Sequence, residues 1–380
     1  MAARGSSRSR ERRSVLGGSV LVGRPFGIGV YVHITMLLLV AFIAIGPFVT
    51  GGAPAAIDAV LFVVAVFTTI LLHELSHALV AQSFGYRTRS ITLLPIGGIG
   101  ALERVPERPV QELLVALSGP AVNFALAAIL AVLLVLFGVP LGISNLGIEG
   151  GSIFARLMWA NLMLGTFNLL PAFPMDGGRV LRALLSLRLP RERATEIAAA
   201  TGKGIAVAFA VIGLFINPFL LLIAIFVWVG ATGEAAQVQM QARLQGVTVR
   251  QAMATRFATL SPDEPLAEAL EEVSSGFQHD FPVLDGEQAV GVLTRGDLFR
   301  GVRLAGPEAP VRTAMCTRFP TASPDEPIER VISRIEDPDC GLVMVMDQGR
   351  LVGLVTVEHL AELMRPPPAA PARRPRRAPA

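Results

Sequence analysis

At 380 residues, with 52% of them hydrophobic and a mean hydropathy of +0.56, the chain is too apolar to be wholly soluble and long enough for two or three domains. The net charge is only +3, and the arginines crowding both ends (Arg4, Arg8, Arg10, Arg12, Arg13; Arg373, Arg374, Arg376, Arg377) read as juxtamembrane charge in contact with a lipid bilayer, with no nucleic acid as partner. The two cysteines, Cys316 and Cys340, fit neither a disulfide framework nor a Cys-based zinc site, and they point to a reducing compartment.

Residues 1–16 form an Arg/Ser-rich arm expected to be disordered, and no small-residue cleavage site follows it. A membrane domain is expected over 17–240. Its first span, 27–49, carries His33 near the start, open between an interfacial structural role and an extra ligand. The second span, 56–82, contains His73-Glu74-Leu75-Ser76-His77. On a helix, His73 and His77 project from one face and can hold one ion, while Glu74 beside them is placed to take a proton from water. An ionisable group at the centre of a lipid-spanning helix costs about 2.5–3.5 kcal/mol when charged, so chance histidines are disfavoured there. At about 1.5 Å per residue, His73 lies roughly 13 Å from the 82 end, which sinks the site into the bilayer nearer that side.

Between 83 and 109, polar residues surround the Gly-rich piece 91–101, whose β-branched residues and central Gly97-Gly98 predict a short hairpin. Two readings stay open: an ordinary loop, or a strand pair dipping into a protein-lined cavity where an extended peptide pairs with it. The third span, 110–137, includes Ser118-Gly119-Pro120, small enough for close helix packing, and Asn123, which needs a partner inside the protein and is open between a structural and a site role. A fourth span starts near 151 and ends in Asn168-Leu169-Leu170-Pro171-Ala172-Phe173-Pro174-Met175-Asp176-Gly177-Gly178-Arg179. Two prolines and two glycines break a helix, leaving an unwound segment able to aim Asp176 inward as a third ligand beside the histidine pair. Spans at 196–216 and 218–233 complete about six. Loop arginines, including Arg179, Arg182, Arg188, Arg191 and Arg193, gather on one side, so both termini are expected to be cytoplasmic.

From 247 to 364 the chain turns polar and repeats itself at an offset of 62: Val249-Arg250-Gln251-Ala252-Met253 returns as Val311-Arg312-Thr313-Ala314-Met315, and Gly291-Val292-Leu293-Thr294 as Gly353-Leu354-Val355-Thr356. Each copy, 247–305 and 309–365, reads helix, strand, turn, strand, helix. Residues 366–380 are a Pro/Ala/Arg tail expected to be disordered.

With His73-Glu74-Leu75-Ser76-His77 in a span, Ser118-Gly119-Pro120, and 168–179 in that order, the chain resembles the site-2 protease family of intramembrane zinc metalloproteases over about 20–235. The resemblance implies an α-helical polytopic membrane protein with a short membrane-associated β-hairpin, one zinc ion on His73, His77 and Asp176, Glu74 as catalytic base, a transmembrane protein as substrate, and substrate contacts at Gly97, Gly98, Asn123 and Asn168. The repeats resemble an α/β tandem cystathionine-beta-synthase domain pair. That implies an adenine nucleotide at Thr294 and Asp297, or alternatively a pair that only docks or forms a homodimer; the second copy has His359 where an aspartate is usual. A rival class, a transporter or channel gated by the pair, predicts a ladder of polar groups along a pore in place of one ligand cluster.

Overall fold

In the computed structural model the described residues are 18–95, 97–102, 106, 108–141, 152–276, 278–335, 341–357 and 359–360. The basic arm and the Pro/Ala/Arg tail, Cys340, and Glu103, Arg104, Val105 and Glu107 lie outside them. The chain divides into two units, 1–238 and 239–380.

The first unit opens with two strands, β1 (Ser19–Gly23) and β2 (Gly29–His33), before the helix α1 (Ile34–Ser83). These strands correct the expected start of the first span. The run from 27 is apolar without interruption, but Val30 and Val32 favour a pleated backbone, and His33 caps the helix, its Nδ1 accepting from the Thr35 N–H. His33 is thus a structural cap. The first two expected spans, 27–49 and 56–82, share the 50-residue α1, broken at Gly52 (φ 68°), a left-handed conformation that glycine tolerates, just before Pro54.

After α1 come β3 (Thr88–Leu94) and β4 (Gly97–Leu102), the expected hairpin, whose antiparallel register includes Leu93 opposite Gly98. They belong to a four-stranded sheet ordered β1-β2-β3-β4, in which β2 and β3 run parallel and β4 is an edge strand among the described residues. Ile28, Ile91 and Leu93 of the sheet region pack on Leu75 and Ala78 of α1, so the sheet sits directly on the helix turn that carries the histidines.

Four further helices follow: α2 (Pro109–Leu136), α3 (Ile153–Asn168), α4 (Asp176–Ser186) and α5 (Arg191–Phe215), and then α6 (Phe219–Leu244). Among the described residues four helices, α1, α2, α5 and α6, are long and apolar enough to cross a membrane. At 16 residues α3 is shorter than the ~20 needed to span alone. Phe42, Phe48, Leu136 and Phe215 point outward, while Glu112, Arg156, Asn161 and Arg182 are buried, the arrangement of a chain whose solvent is lipid.

Arg182, counted from sequence among the loop charges, is instead the hub of a buried ion cluster. It bonds Glu112 of α2 (2.5 Å) and Glu234 of α6, and Arg191 of α5 approaches the other Glu112 oxygen at 3.3 Å. Two carboxylates facing two guanidiniums make the cluster neutral, and removing one member of such a set costs about 3–5 kcal/mol by stranding a buried charge. A second pair, Arg156 of α3 with Asp58 of α1 (2.6 Å), ties α3 to the second half of α1.

The second unit carries the repeats. Strands β5 (Phe281–Asp285) and β6 (Gln288–Leu293) of one copy match β7 (Leu342–Asp347) and β8 (Arg350–Thr356) of the other, down to a register shift at Val283/Leu284 that returns at Val345/Met346. The copies exchange their opening segments. Ala254 bridges Leu354 of the second copy, and Cys316 bridges Val292 of the first. Accordingly Val249 and Ala252 are buried with Val343, Val345 and Val355, whereas Val311 is buried with Phe281 and Leu293. Burying a side chain of this size contributes about 1.5–3 kcal/mol, so neither copy keeps its core without the other, and the packing units differ from the sequence copies.

Candidate metal centre

One turn of α1 puts both imidazoles on its buried face, with His73 5% and His77 6% exposed. The third group arrives from the far side of the chain. After Asn168, half-buried at the end of α3, residues 169–175 leave the helix through Pro171 and a cis Phe173–Pro174 bond, and Asp176 is the first residue of α4. The two glycines behind it allow that close turn: a Cβ on Gly177 would stand 2.2 Å from the Leu170 carbonyl oxygen, and one on Gly178 2.7 Å from the Ala172 carbonyl carbon. Asp176 therefore sits in the first helical turn and not within the irregular segment expected from its prolines.

His73 Nε2, His77 Nε2 and an Asp176 carboxylate oxygen are mutually 3.1 Å apart. They are the one group of three such donors that meets a metal-sized spacing among the described residues. The far side of each ring is fixed. His77 Nδ1 lies 2.7 Å from the Val115 carbonyl oxygen, and His73 Nδ1 lies 2.5 Å from Asn123 Oδ1. Both partners accept, so both Nδ1 atoms carry the hydrogen and both Nε2 lone pairs face the common point. Two lone pairs and a carboxylate with no proton between them repel one another in a buried site, and a divalent cation is what such a nitrogen and oxygen set holds. The donor chemistry fits zinc.

Glu74 packs beneath the hairpin, so closely that a Cβ on Gly98 would lie 2.5 Å from its Cγ and one on Gly100 3.4 Å from its Oε2. Gly97, the turn end of β4, stands at φ 133° and has open space where a Cβ would be. Gly119 faces the other side of the centre, where its missing side chain leaves room for the two rings. Asn123 is fully buried and has both ends of its amide engaged, Oδ1 by His73 and Nδ2 by Asn161 Oδ1 at 2.9 Å. Both of these partners are side chains of the fold. Asn161, absent from the sequence reading, is equally buried; the signal for it was an uncharged polar side chain inside an apolar helix. Arg179 stands 3.9 Å from the second Asp176 oxygen.

In the second unit, Thr294 caps the helix α7 (Arg295–Ala305), accepting from the Asp297 N–H at 3.1 Å and donating to its carboxylate at 2.7 Å, and Arg300 pairs with Asp297 at 3.1 Å. A cleft of about 560 Å³ lies between the copies, lined by Arg256, Gln278, His279, Asp280, Thr356 and His359, and the expected nucleotide residues Thr294 and Asp297 are not among its lining. Thr356 and His359 occupy the positions that Thr294 and Asp297 hold in the first copy.

A model described as peptidase family M50 matches residues 61–147 and 149–210, and the CBS domain model matches 249–303 and 311–366. A zinc metalloprotease of Methanocaldococcus jannaschii is 30% identical over 347 residues, 91% of this chain and 96% of the relative. Rip3 of Mycobacterium tuberculosis is 29% identical over 375 residues, 91% of this chain and 93% of its own. Among solved structures, the site-2 protease from Methanocaldococcus jannaschii is 35% identical, covering 57% of this chain and 95% of that one with a TM-score of 0.44.

Proposed function

We propose that this chain, which belongs to peptidase family M50, cleaves peptide bonds in or beside the transmembrane segments of membrane proteins at a zinc centre built from His73, His77 and Asp176. The observation that carries this reading is the convergence of their three ligand atoms at a buried point within reach of Glu74's helix turn. A zinc ion bound there supplies Lewis acidity, polarising the scissile carbonyl and lowering the pKa of water. Glu74 takes the proton of the attacking water and returns it to the leaving amine. A helical substrate hides its carbonyls in hydrogen bonds, so it must unwind first. The edge strand β4, with Gly98 beside Glu74 and Gly97 at its turn end, offers the unwound segment a strand to pair with. Asn168, where α3 breaks off, is the candidate for a contact to its backbone.

The exposed Arg87, Arg89, Arg188 and Arg193 support a cytoplasmic position for both termini, with Arg182 removed from that count by its burial. The test of the centre is metal removal from the purified, detergent-solubilised protein acting on a single-span membrane substrate. Cleavage is expected to stop when a chelator strips the zinc and to return on adding zinc. His73→Ala and Asp176→Ala are expected to bind none. Cleavage that continues at full rate in the stripped protein would overturn the reading.

Regulation is a separate step. We propose that an adenine nucleotide enters the cleft between the repeat copies and changes the rate of cleavage, supported by the cleft's size and by a lining that joins apolar Phe257 and Leu354 to polar Arg256, Gln278 and Thr356. Titration of the full chain with ATP and with AMP is expected to give saturable binding and a shifted cleavage rate. Neither binding nor a rate change would remove the idea.

A further inference from the structure

We infer that Asn161 is a positioning residue for the metal centre, acting on His73 through Asn123. The inference rests on the zinc reading above. Its ground is a hydrogen-bond chain in which every direction is forced. Asn161 Nδ2 lies 2.9 Å from the Leu157 carbonyl oxygen, one helical turn back, and a carbonyl only accepts. Asn161 must therefore turn its NH2 to Leu157 and its Oδ1 to Asn123. Asn123 in turn presents its NH2 to Asn161 at 2.9 Å and its Oδ1 to His73 at 2.5 Å. His73 Nδ1 is left to donate, and its Nε2 lone pair is aimed at His77 and Asp176.

An isolated asparagine beside a histidine offers either end of its amide, because the two ends differ little in shape. With its NH2 turned to Nδ1, Asn123 would favour the opposite tautomer, whose Nε2 carries the hydrogen and cannot bind a metal. Asn161 removes that choice. Both asparagines are 0% exposed, so water is not available to stand in for the missing partner. The chain also links three helices: α3 sets the amide of α2, and α2 sets the ring of α1.

The experiment measures apparent zinc affinity of the purified full chain by competition with a chelator, alongside thermal unfolding of the zinc-free protein. Asn161→Leu is expected to weaken zinc binding about 10- to 100-fold, the range for losing a group that orients a metal ligand. Asn161→Asp is expected to recover most of it. Buried, that carboxyl stays protonated, and it presents the same donor to Leu157 and the same acceptor to Asn123. Asn161→Ser, too short to reach Asn123, should behave like the leucine variant and serves if leucine does not fold. Wild-type affinity in the leucine or serine variant would overturn the inference, as would equal loss in the aspartate variant, which would mark the residue as packing alone. Undiminished zinc binding by His73→Ala would instead defeat the reading of the centre itself.

Discussion

Glu74→Gln is expected to keep the zinc content of the wild-type protein while slowing cleavage of a membrane substrate by about 10²- to 10⁴-fold, the usual contribution of one general acid–base group. Glutamine has the same shape, so the close packing of Gly98 and Gly100 over this side chain is preserved. The three ligand atoms do not include Glu74, and nothing in their 3.1 Å geometry depends on its charge. What is lost is the ability to take a proton. Zinc quantification on the two purified proteins checks the first half of the prediction. A comparison of membrane-protein fragments from cells making either form checks the second and identifies substrates as those whose fragments vanish. A glutamine variant that cleaves at the wild-type rate would exclude Glu74 as the base.

Why that residue was legible in the sequence, and Asn161 was not, is a matter of range. His73, Glu74 and His77 lie within one helical turn, so their spacing alone fixes their relation. Asp176 was reachable because the breakers around it announce a departure from the helix, and the hairpin because glycines and β-branched residues stand together between charged stretches. Strand β2 was missed where an apolar run passes from strand to helix at His33 with no change in hydropathy. The Asn123–Asn161 link spans 38 residues and the Glu112–Arg182 pair 70, distances over which a single chain carries no pairing signal. Arg182 misled for the same reason: its composition says loop, and only the fold brings the two carboxylates that bury it. In the repeats the offset of 62 was plain in the sequence, but the choice of which copy receives each opening segment is made by packing, as the Ala254–Leu354 and Cys316–Val292 bridges record.

Gly119→Ala is expected to abolish zinc binding and cleavage together, in contrast to the separated effects at Glu74. A methyl group there would lie 2.3 Å from His77 Nε2 and 2.6 Å from His73 Nε2, nearer than nonbonded atoms approach. The rings have nowhere to go. His77 is held at Nδ1 by the Val115 carbonyl, on the same helix as residue 119, so a shift of α2 moves the anchor with the obstacle. His73 is held by Asn123, also on α2 and itself locked to α3. Relief therefore requires breaking one of these bonds, and either break frees a ligand ring and exposes a buried polar group at about 1–3 kcal/mol. Ser118→Ala is the matched control, since the Ser118 hydroxyl donates to Val115 at 2.7 Å and stands only at the edge of His77, 3.3 Å from Nδ1. It should retain zinc. If instead the alanine at 119 leaves zinc stoichiometry and cleavage intact, the ion does not lie between the two imidazoles and α2, and the centre must be sought elsewhere around Asp176.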